Sequence, residues 1–225
     1  MASLVSCIMP TADRETFIPL AIDYFLRQDY PDKELIIVDD GINLIEQIIP
    51  ANSQIRYIKL EKKEKVGQKR NYACQAANGD IIVHMDDDDW YASDWISKQV
   101  SVLEATKADI CGLSKLYFYN PIANNAWQYI YPDNAAHWVA GATMAYKKSF
   151  WEQYPFRNMQ VGEDNQFVWN FKACVAKLDH LTGFISILHT KNTSPKHTAS
   201  SRWQLCPIKN IETILKSDIL NYKSR

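Results

Sequence analysis

Four consecutive aspartates occupy positions 86–89, directly after the apolar run Ile81-Ile82-Val83. Adjacent carboxylates repel one another, and each close pair costs roughly a few kcal/mol at an effective dielectric constant of about 20. A positive partner is therefore expected at this aspartate cluster. Carboxylate oxygens are the ligands that Mg²⁺, Mn²⁺ and Ca²⁺ prefer, so the residues predict a cation site. The alternative is a solvated acidic loop that caps the following helix.

Other uses of such a cluster lack their partner motifs. An EF-hand loop needs a further acid where this sequence has Trp90. A phosphatase-type acidic pair would follow the first strand, and a Walker B acid needs a GxxxxGK[ST] loop, which the sequence does not contain. The chain has seven glycines and no GxGxxG, which disfavours a dinucleotide site. The remaining use is a metal shared between one or two aspartates and the diphosphate of a nucleotide.

Short apolar runs alternate with helical spacing through the first part of the chain. Apolar runs predict strands at 4–9, 35–38, 55–60 and 81–85, and helices are predicted at 17–25, 42–49, 67–77 and 93–104. Ser93 is the expected N-cap of the last helix. Runs that are apolar throughout are typical of strands covered on both faces. The pattern therefore predicts an α/β fold with a mainly parallel, Rossmann-like sheet and helices on both faces.

Polar clusters follow the first, second and fourth predicted strands. They are residues 10–14, residues 39–41 and the aspartate cluster. Parallel strands bring their carboxyl ends to one edge of a sheet, where the ligands of doubly wound folds bind. We therefore expect the three clusters to meet at one rim.

The second half of the chain has a different pattern. Residues 109–131 are rich in Tyr, Phe and Trp and predict strands or a long aromatic loop, followed by helices at 147–153 and 164–176 and a strand at 184–188. No linker separates the halves, so we expect one domain over 1–206, whose halves at 1–105 and 106–206 build different parts of one cleft. The pattern of residues 207–225 predicts a helical extension with an apolar stripe. We expect this stripe to pack on the domain or on a second copy of the chain in a homodimer. Contact with a membrane surface is the alternative for this stripe.

Composition narrows the class of protein. The chain has 225 residues and a net charge of −1, which disfavours a nucleic-acid partner because such proteins usually carry a basic face. No stretch reaches the roughly 18 apolar residues of a membrane span, and no signal-peptide pattern begins the chain. We therefore expect a cytoplasmic protein, with peripheral contact at the inner face of the membrane as an option. The scattered cysteines predict reduced, buried thiols: Cys7, Cys74, Cys111, Cys174 and Cys206.

Five stretches resemble family 2 glycosyltransferases with the GT-A fold, in their order and spacing: VSCIMPTADRE, ELIIVDDG, KVGQKRNYACQAANGDIIVHMDDDDW, GATMAYKKSFW and VGEDNQFVW. The resemblance covers roughly residues 3–194. It implies inverting transfer of a sugar from a nucleotide-sugar donor, usually UDP-linked, to an acceptor hydroxyl, assisted by Mn²⁺ or Mg²⁺. It also implies a saccharide or lipid-linked saccharide acceptor, in polysaccharide or glycolipid synthesis. Residues 1–105 would then be the nucleotide-binding half and residues 106–206 the acceptor half.

The resemblance assigns the metal and the nucleotide to the predicted rim. It implies that Asp88 is the principal metal ligand and that Asp86 contacts the ribose, the metal or a metal-bound water. His189 would close the metal site, and a structural role is its alternative. Asp40 would accept a hydrogen bond from the N3–H of uracil, with Asp39 alongside, and a simple turn is the alternative for this pair. The remaining nucleotide contacts that it implies are Pro10, Thr11, Asp13 and Arg70.

The resemblance assigns the chemistry to two adjacent acids. Asp164 would take the acceptor proton as general base, and Glu163 would hold an acceptor hydroxyl. Helix N-capping alone would also explain an acid there. Gly141 and Ala142 would approach the donor sugar, and Trp138 would stack on a sugar ring or pack in the core. Two rival functions stay open: a nucleotide-sugar-binding protein without turnover, and a sugar-phosphate nucleotidyltransferase, which the missing glycine-rich loop disfavours.

Overall fold

Two β-sheets and the helices around them make up the fold. The computed structural model describes residues 3–194 and 196–223, which form a seven-stranded and a five-stranded sheet. The strands are β1 (Val5–Thr11), β2 (Lys33–Asp39), β3 (Ile55–Lys59), β4 (Ile81–His84), β5 (Trp90–Tyr91), β6 (Ile110–Gly112), β7 (Lys115–Asn120), β8 (Asn125–Ile130), β9 (Ala145–Lys147), β10 (Val175–Lys177), β11 (Phe184–Ile187) and β12 (Trp203–Cys206). The α-helices are α1 (Ile18–Leu26), α2 (Val66–Ala76), α3 (Trp95–Thr106), α4 (Lys148–Gln153), α5 (Glu163–Val168), α6 (Ile208–Leu215) and α7 (Leu220–Lys223).

The larger sheet is mainly parallel. Its strand order is β10-β6-β9-β4-β1-β2-β3. Strand β1 pairs in parallel with β2 and β4, β2 with β3, and β6 with β10. Strand β9 runs antiparallel between β4 and β6. This topology confirms the predicted mainly parallel α/β sheet.

Helices cover both faces of the larger sheet, because its strands are apolar on both sides. Val5, Cys7 and Met9 of β1 lie in the core that includes α1 and α3. Ile8 points to the other face and packs in a second core with Cys74 of α2. All five side chains are fully buried. Burial of one large apolar side chain contributes roughly 1.5–3 kcal/mol, so both layers hold the sheet in place.

Two helices of the first half differ from their predictions. Helix α3 begins at Trp95, and Asp94 rather than Ser93 precedes it, without a capping hydrogen bond from its side chain. The N–H of Ile96 donates instead to Gln28 Oε1 at 3.1 Å, so a side chain from the segment after α1 satisfies one N–H of the first turn. The helix predicted at 42–49 is reduced to a 3-10 turn at Glu46–Ile48.

The prediction of a helix at 164–176 is wrong for its second part. Helix α5 ends at Val168, and Asn170 Oδ1 then accepts the N–H of Lys172 at 3.0 Å. Such a turn competes with helix continuation, and the chain leaves it as β10 at the edge of the larger sheet. Cys174 in this connection is exposed, so the prediction that it is buried is wrong. The predicted burial is confirmed for Cys7, Cys74 and Cys111, whereas Cys206 is half-buried.

The five-stranded sheet is built mostly from the aromatic second half. Its order is β12-β8-β7-β11-β5, and β6, β7 and β8 confirm the strand alternative for residues 109–131. Strand β5 follows the aspartate cluster directly and pairs antiparallel with β11. The aspartate cluster therefore lies where the chain passes from one sheet to the other.

The C-terminal segment packs on this chain through two short helices, α6 and α7, instead of one continuous helix. Ile211 is fully buried in the core shared with both sheets. The hydroxyl of Tyr222 lies 2.7 Å from that of Tyr24, and Asp218 accepts the indole N–H of Trp90 at 2.8 Å. Among the residues that the structure describes, no helix is both long and apolar enough to cross a bilayer.

Truncation of Ile211 should destabilise the whole fold. Ile211→Ala removes a fully buried side chain, so the free energy of unfolding in urea should fall by about 2–5 kcal/mol. Ile42→Ala is the control, because Ile42 is 90% exposed and its loss should change stability by less than about 0.5 kcal/mol. A loss no larger than that of the control would show that the C-terminal segment does not belong to the folded core.

Candidate functional site

The carboxyl ends of β1, β2 and β4 meet at one edge of the larger sheet. Strands β1 and β2 stay in register to Thr11 and Asp39, and β4 ends at His84, opposite Ile8. Beyond β4 the aspartate cluster reaches the end of β1, where the hydroxyl of Thr11 donates to Asp87. Residues 10–14 and the aspartate cluster therefore lie together, as the sequence predicts.

Two adjoining cavities open at this edge. The central cavity has a volume of about 350 Å³ and is lined by the aspartate cluster, Glu163, Asp164 and several aromatic side chains. The second cavity, of about 640 Å³, is lined by residues 10–14 and by lysines, and we call it the lysine cavity. Arg14 and Thr193 line both cavities, which therefore form one continuous cleft.

Arg14 neutralises the middle of the aspartate cluster. Its Nη1 lies 2.6 Å from Asp87 Oδ1 and 2.7 Å from Asp88 Oδ2. Its Nη2 donates to the carbonyl oxygen of Lys191 at 2.6 Å. The sequence analysis did not select Arg14 as a site residue, and the only signal was its position in the polar cluster after β1. Arg14 thus joins the end of β1, the aspartate cluster and the loop after β11.

Burial and charge act unequally on the three last aspartates of the cluster. Burial and the charge of Asp88 raise the pKa of Asp87 to about 6, against the pull of Arg14. Burial also raises the pKa of Asp88, but the hydrogen bond from His189 and the charge of Arg14 outweigh it and hold this pKa below its usual range. Burial and the charge of Asp88 hold the pKa of Asp89 well above its usual range. Of these three groups, Asp88 is the one most firmly held as a carboxylate.

His189 lies against Asp88. Its Nε2 is 3.0 Å from Asp88 Oδ2. The backbone N–H of Lys191 donates to His189 Nδ1 at 3.1 Å, so the hydrogen-bond network assigns the ring proton to Nε2, which donates it to Asp88. To bind a cation through Nε2, His189 would have to give up this proton.

Arg70 is buried and pairs with two acids. Its Nη1 lies 3.2 Å from Asp86 Oδ1, and its Nε lies 3.4 Å from Glu163 Oε1. Burial lowers the pKa of the guanidinium, but the charges of Asp86 and Glu163 outweigh it and raise this pKa. Burial raises the pKa of Glu163, against the pull of the Arg70 charge. Arg70 thus links α2, the aspartate cluster and α5 beside the central cavity.

His84, the last residue of β4, lies buried beneath the site, and the sequence analysis missed it. Its Nδ1 is 2.7 Å from the carbonyl oxygen of Gly141 and 2.9 Å from Arg70 Nη1, and its Nε2 is 3.2 Å from the Tyr146 hydroxyl. Burial and the charge of Arg70 hold the pKa of His84 well below its usual range, so the ring is neutral. A histidine at the end of an apolar strand was the only signal. His84 supports both Arg70 and Gly141 from below.

Asp164 packs directly on Gly141. A Cβ at position 141 would come within 2.1 Å of Asp164 Oδ2, so this close approach requires glycine. Asp164 Oδ1 accepts the N–H of Asn165 at 2.7 Å, and the indole N–H of Trp138 donates to Asn165 Oδ1 at 2.7 Å. The structure therefore brings together Asp164, Gly141, Ala142 and Trp138, which all line the central cavity.

Asp39 and Asp40 line neither cavity in this structure. Asp39 is buried, and its Oδ2 accepts a hydrogen bond from Lys59 Nζ at 3.1 Å. Asp40 Oδ1 accepts from Lys69 Nζ at 2.8 Å and its Oδ2 accepts the N–H of Glu64 at 2.7 Å, so its carboxylate is also enclosed. Contact of Asp40 with uracil stays a prediction, and it would require a local rearrangement of this pair.

The lysine cavity combines cations with Asp13. Asp13 has a left-handed φ of 53°, and its Oδ1 accepts the N–H of Ile42 at 2.6 Å, which lowers its pKa. Gly41 permits this approach, because a Cβ there would lie 2.6 Å from the backbone nitrogen of Asp13. The cluster of cations favours an anionic ligand such as a phosphate group. The cations that line the cavity are Arg14, Lys63, Lys65, Lys69 and Lys191.

The groups around Asp88 fit a cation that takes most of its ligands from elsewhere. Within residues 3–194 and 196–223, no three His, Cys, Asp or Glu side chains converge on one ion position. Asp88 and His189 lie together, and Asp86 lines the same cavity as Asp88. Mg²⁺ in phosphate sites commonly has one or two carboxylate ligands, with phosphate and water as the others. The residues present therefore suit a shared metal–diphosphate site and not a closed metal centre.

Comparison with known proteins identifies the family. Residues 6–172 match the family described as Glycosyl transferase family 2. The putative colanic acid biosynthesis glycosyl transferase WcaA of Escherichia coli (strain K12) is 30% identical over 179 residues, which are 76% of this chain and 60% of that protein. The chain spans about half the length of the curated relatives it matches.

Solved structures have the same fold. TarS 1–349 from S. aureus, in complex with UDP-GlcNAc, has a TM-score of 0.66 at 15% identity, over 98% of this chain and 73% of that chain. The mannosyltransferase PcManGT from Pyrobaculum calidifontis, in complex with GDP-Man and Mn²⁺, has a TM-score of 0.67 at 15% identity, over 86% of this chain and 59% of that chain. These likenesses confirm the predicted GT-A fold. Because the match over residues 6–172 covers most of its length, the chain belongs to glycosyl transferase family 2.

Proposed function

We propose that this chain is an inverting glycosyltransferase that moves a sugar from a UDP-sugar to an acceptor hydroxyl, in the synthesis of a polysaccharide or glycolipid. The observation that carries the proposal is the carboxylate of Asp164 in the central cavity, which has no cation partner among the described residues. Asp86, Asp87, Asp88 and Glu163 each pair with an arginine. Asp89 has no cation partner among the described residues either, but it is buried. Asp164 is half-buried and lines the cavity, and an acid in this position is suited to accept a proton.

The nucleotide-sugar donor would bind across the two cavities. The lysine cavity offers positive charge to a diphosphate, and Pro10, Thr11 and Asp13 line it. The sugar would then lie toward Gly141 and Ala142 in the central cavity. The complexes of TarS with UDP-GlcNAc and of PcManGT with GDP-Man support a donor of this class. The preference for UDP rests on the sequence prediction alone.

A divalent cation belongs to the proposal. Asp88 would hold Mn²⁺ or Mg²⁺, with Asp86 and His189 as the further candidate ligands. When bound, the cation would offset the negative charge that develops on the leaving diphosphate. Arg14 adds positive charge at the same carboxylate. The Mn²⁺ in the PcManGT complex supports this part of the proposal.

Asp164 would act as the general base. It would take the proton of the acceptor hydroxyl while the acceptor oxygen forms a bond to the anomeric carbon and the bond from that carbon to the phosphate oxygen breaks. Attack on the face opposite the leaving group inverts the anomeric configuration. Glu163 would orient the acceptor hydroxyl, and its pairing with Arg70 holds its carboxylate in place. Gly141 leaves the room that the Asp164 carboxylate needs.

Nucleotide binding should depend on a divalent cation and on Asp88. In calorimetric titrations of UDP with Mn²⁺, Asp88→Ala should weaken binding at least tenfold, about 1.4 kcal/mol, because it removes the proposed metal ligand. EDTA should weaken binding to the wild type to a similar degree. Asp133→Ala, which removes an exposed acid outside both cavities, should bind UDP as the wild type does.

Two outcomes of these titrations would count against the proposal. Equal affinity for UDP in Mn²⁺ and in EDTA would show that the cation takes no part in nucleotide binding. Absence of binding of UDP, GDP, CDP and dTDP alike would show that the cleft is not a nucleotide site. Tighter binding of one of the other three nucleotides would correct the preference for UDP and leave the site intact.

Asp164→Asn should keep nucleotide binding and lose sugar transfer. A general base contributes about 10²–10⁴-fold, so release of UDP from UDP-glucose, UDP-galactose or UDP-N-acetylglucosamine in the presence of saccharide acceptors should fall by this factor. Gly141→Ala should have a similar effect, because the added methyl group displaces the Asp164 carboxylate. Asp133→Asn is the control and should keep the wild-type rate.

The same assay separates the enzyme from its rival. Full transfer activity in Asp164→Asn would eliminate Asp164 as the base. A wild-type protein that binds UDP-sugars tightly but releases no UDP with any acceptor would favour the nucleotide-sugar-binding protein without turnover.

A further inference from the structure

Side chains of the second sheet line the central cavity, and the mechanism proposed above does not use them. Tyr129 of β8 pairs with Trp203 of β12 on one side and with Leu116 of β7 on the other. Directly paired residues of antiparallel strands project from the same face. Phe118 lies two residues after Leu116 and shares this face. All four side chains line the cavity that also contains Asp164.

The three rings form one connected aromatic layer. The centroid of Phe118 lies 4.4 Å from that of Trp203, and the centroid of Tyr129 lies 5.3 Å from that of Trp203. Arg202 Nη1 donates to the Tyr129 hydroxyl at 3.3 Å and restrains the ring. Phe118 is buried, whereas Tyr129 and Trp203 are half-buried and keep part of their surface open. We call Phe118, Tyr129 and Trp203 the aromatic layer.

The cavity offers a ligand both aromatic surface and carboxylates. Glu163, Asp164 and the aspartate cluster line the same space as the aromatic layer. A pyranose ring has the matching chemistry, because the C–H groups of one face pack on aromatic rings while the hydroxyl groups at its edge donate to carboxylate oxygens. A hydrocarbon chain in this space would bury the Asp164 carboxylate, which has no cation partner among the described residues, and such burial is costly. The combination therefore favours a sugar over a lipid tail.

We infer that the aromatic layer binds a pyranose ring of the acceptor saccharide, with Trp203 as the main stacking residue and Phe118 as its support. The inference rests on the proposed function, since it assigns the ring to the acceptor of the reaction at Asp164. Trp203 lies outside residues 6–172, so the family match does not define this part of the cleft. Phe118 and Tyr129 lie within that range, so the C-terminal part of this chain contributes one of the three rings.

Saturation-transfer NMR on the full chain tests the inference. The probes are the methyl α- and β-pyranosides of glucose, galactose and N-acetylglucosamine, each with and without UDP and Mn²⁺. At least one probe should bind the wild type, with the strongest transfer to the hydrogens of one ring face. Trp203→Leu keeps an apolar side chain but removes the ring, and should weaken binding about tenfold. Trp203→Phe keeps a ring and should stay within about threefold of the wild type.

Trp127→Ala is the matched control. Trp127 pairs with Phe118 and Leu205 on the same face of the sheet but does not line the central cavity. This variant should bind the pyranosides and UDP as the wild type does. Calorimetric titration of UDP into every variant shows whether the donor side of the cleft remains folded.

The outcomes separate the inference from the proposed function. Weaker pyranoside binding in Trp203→Leu, with UDP binding and Trp127→Ala unchanged, supports the inference. It is overturned if no pyranoside binds a wild type that binds UDP, if Trp203→Leu binds as the wild type does, or if Trp127→Ala loses as much as Trp203→Leu. Pyranoside binding through Trp203 in a protein that binds no nucleotide would keep the sugar site and eliminate the proposed donor. Binding of neither ligand would overturn both.

Discussion

The cleft depends on two arginines that pair with three of the four aspartates in the cluster. Arg14 pairs with Asp87 and Asp88, and Arg70 pairs with Asp86. Removal of one partner from a buried ion pair typically costs about 3–5 kcal/mol, because it leaves an uncompensated charge. Strand β4 can therefore end in this acidic run because the segment after β1 and helix α2 each bring a cation to the same edge of the sheet.

The same two arginines tie the second half of the chain to the first. Arg14 donates to the carbonyl oxygen of Lys191 in the loop after β11, and Arg70 reaches Glu163 at the start of α5. His189 adds a third link, because it comes from the same loop as Lys191 and donates to the aspartate cluster. The charge balance of the cluster and the shape of the cleft are therefore coupled, and a ligand that changes one acts on the other.

Local patterns explain which parts of the site could be predicted. Strands β1 and β4 are mostly apolar, and a parallel sheet brings the polar residues at and beyond their carboxyl ends to one edge. The contact of His84 with Gly141 and that of Lys69 with Asp40 join residues far apart in the chain, so no local pattern reveals them. The same limit applies to α5, where the turn at Asn170 and the edge pairing of β10 end a helix that apolar spacing alone would extend.

Two adjacent acids at the start of α5 differ through their long-range contacts. Neither is the N-cap residue of the helix, which is Gly162, with a left-handed φ of 87° that glycine adopts readily. Glu163 turns to Arg70 and is buried. Asp164 uses Oδ1 for the N–H of Asn165, while Oδ2 lies where a side chain at position 141 would be. Glycine at position 141 therefore leaves room for the Asp164 carboxylate beside the cavity. This carboxylate, unlike that of Glu163, has no cation partner among the described residues.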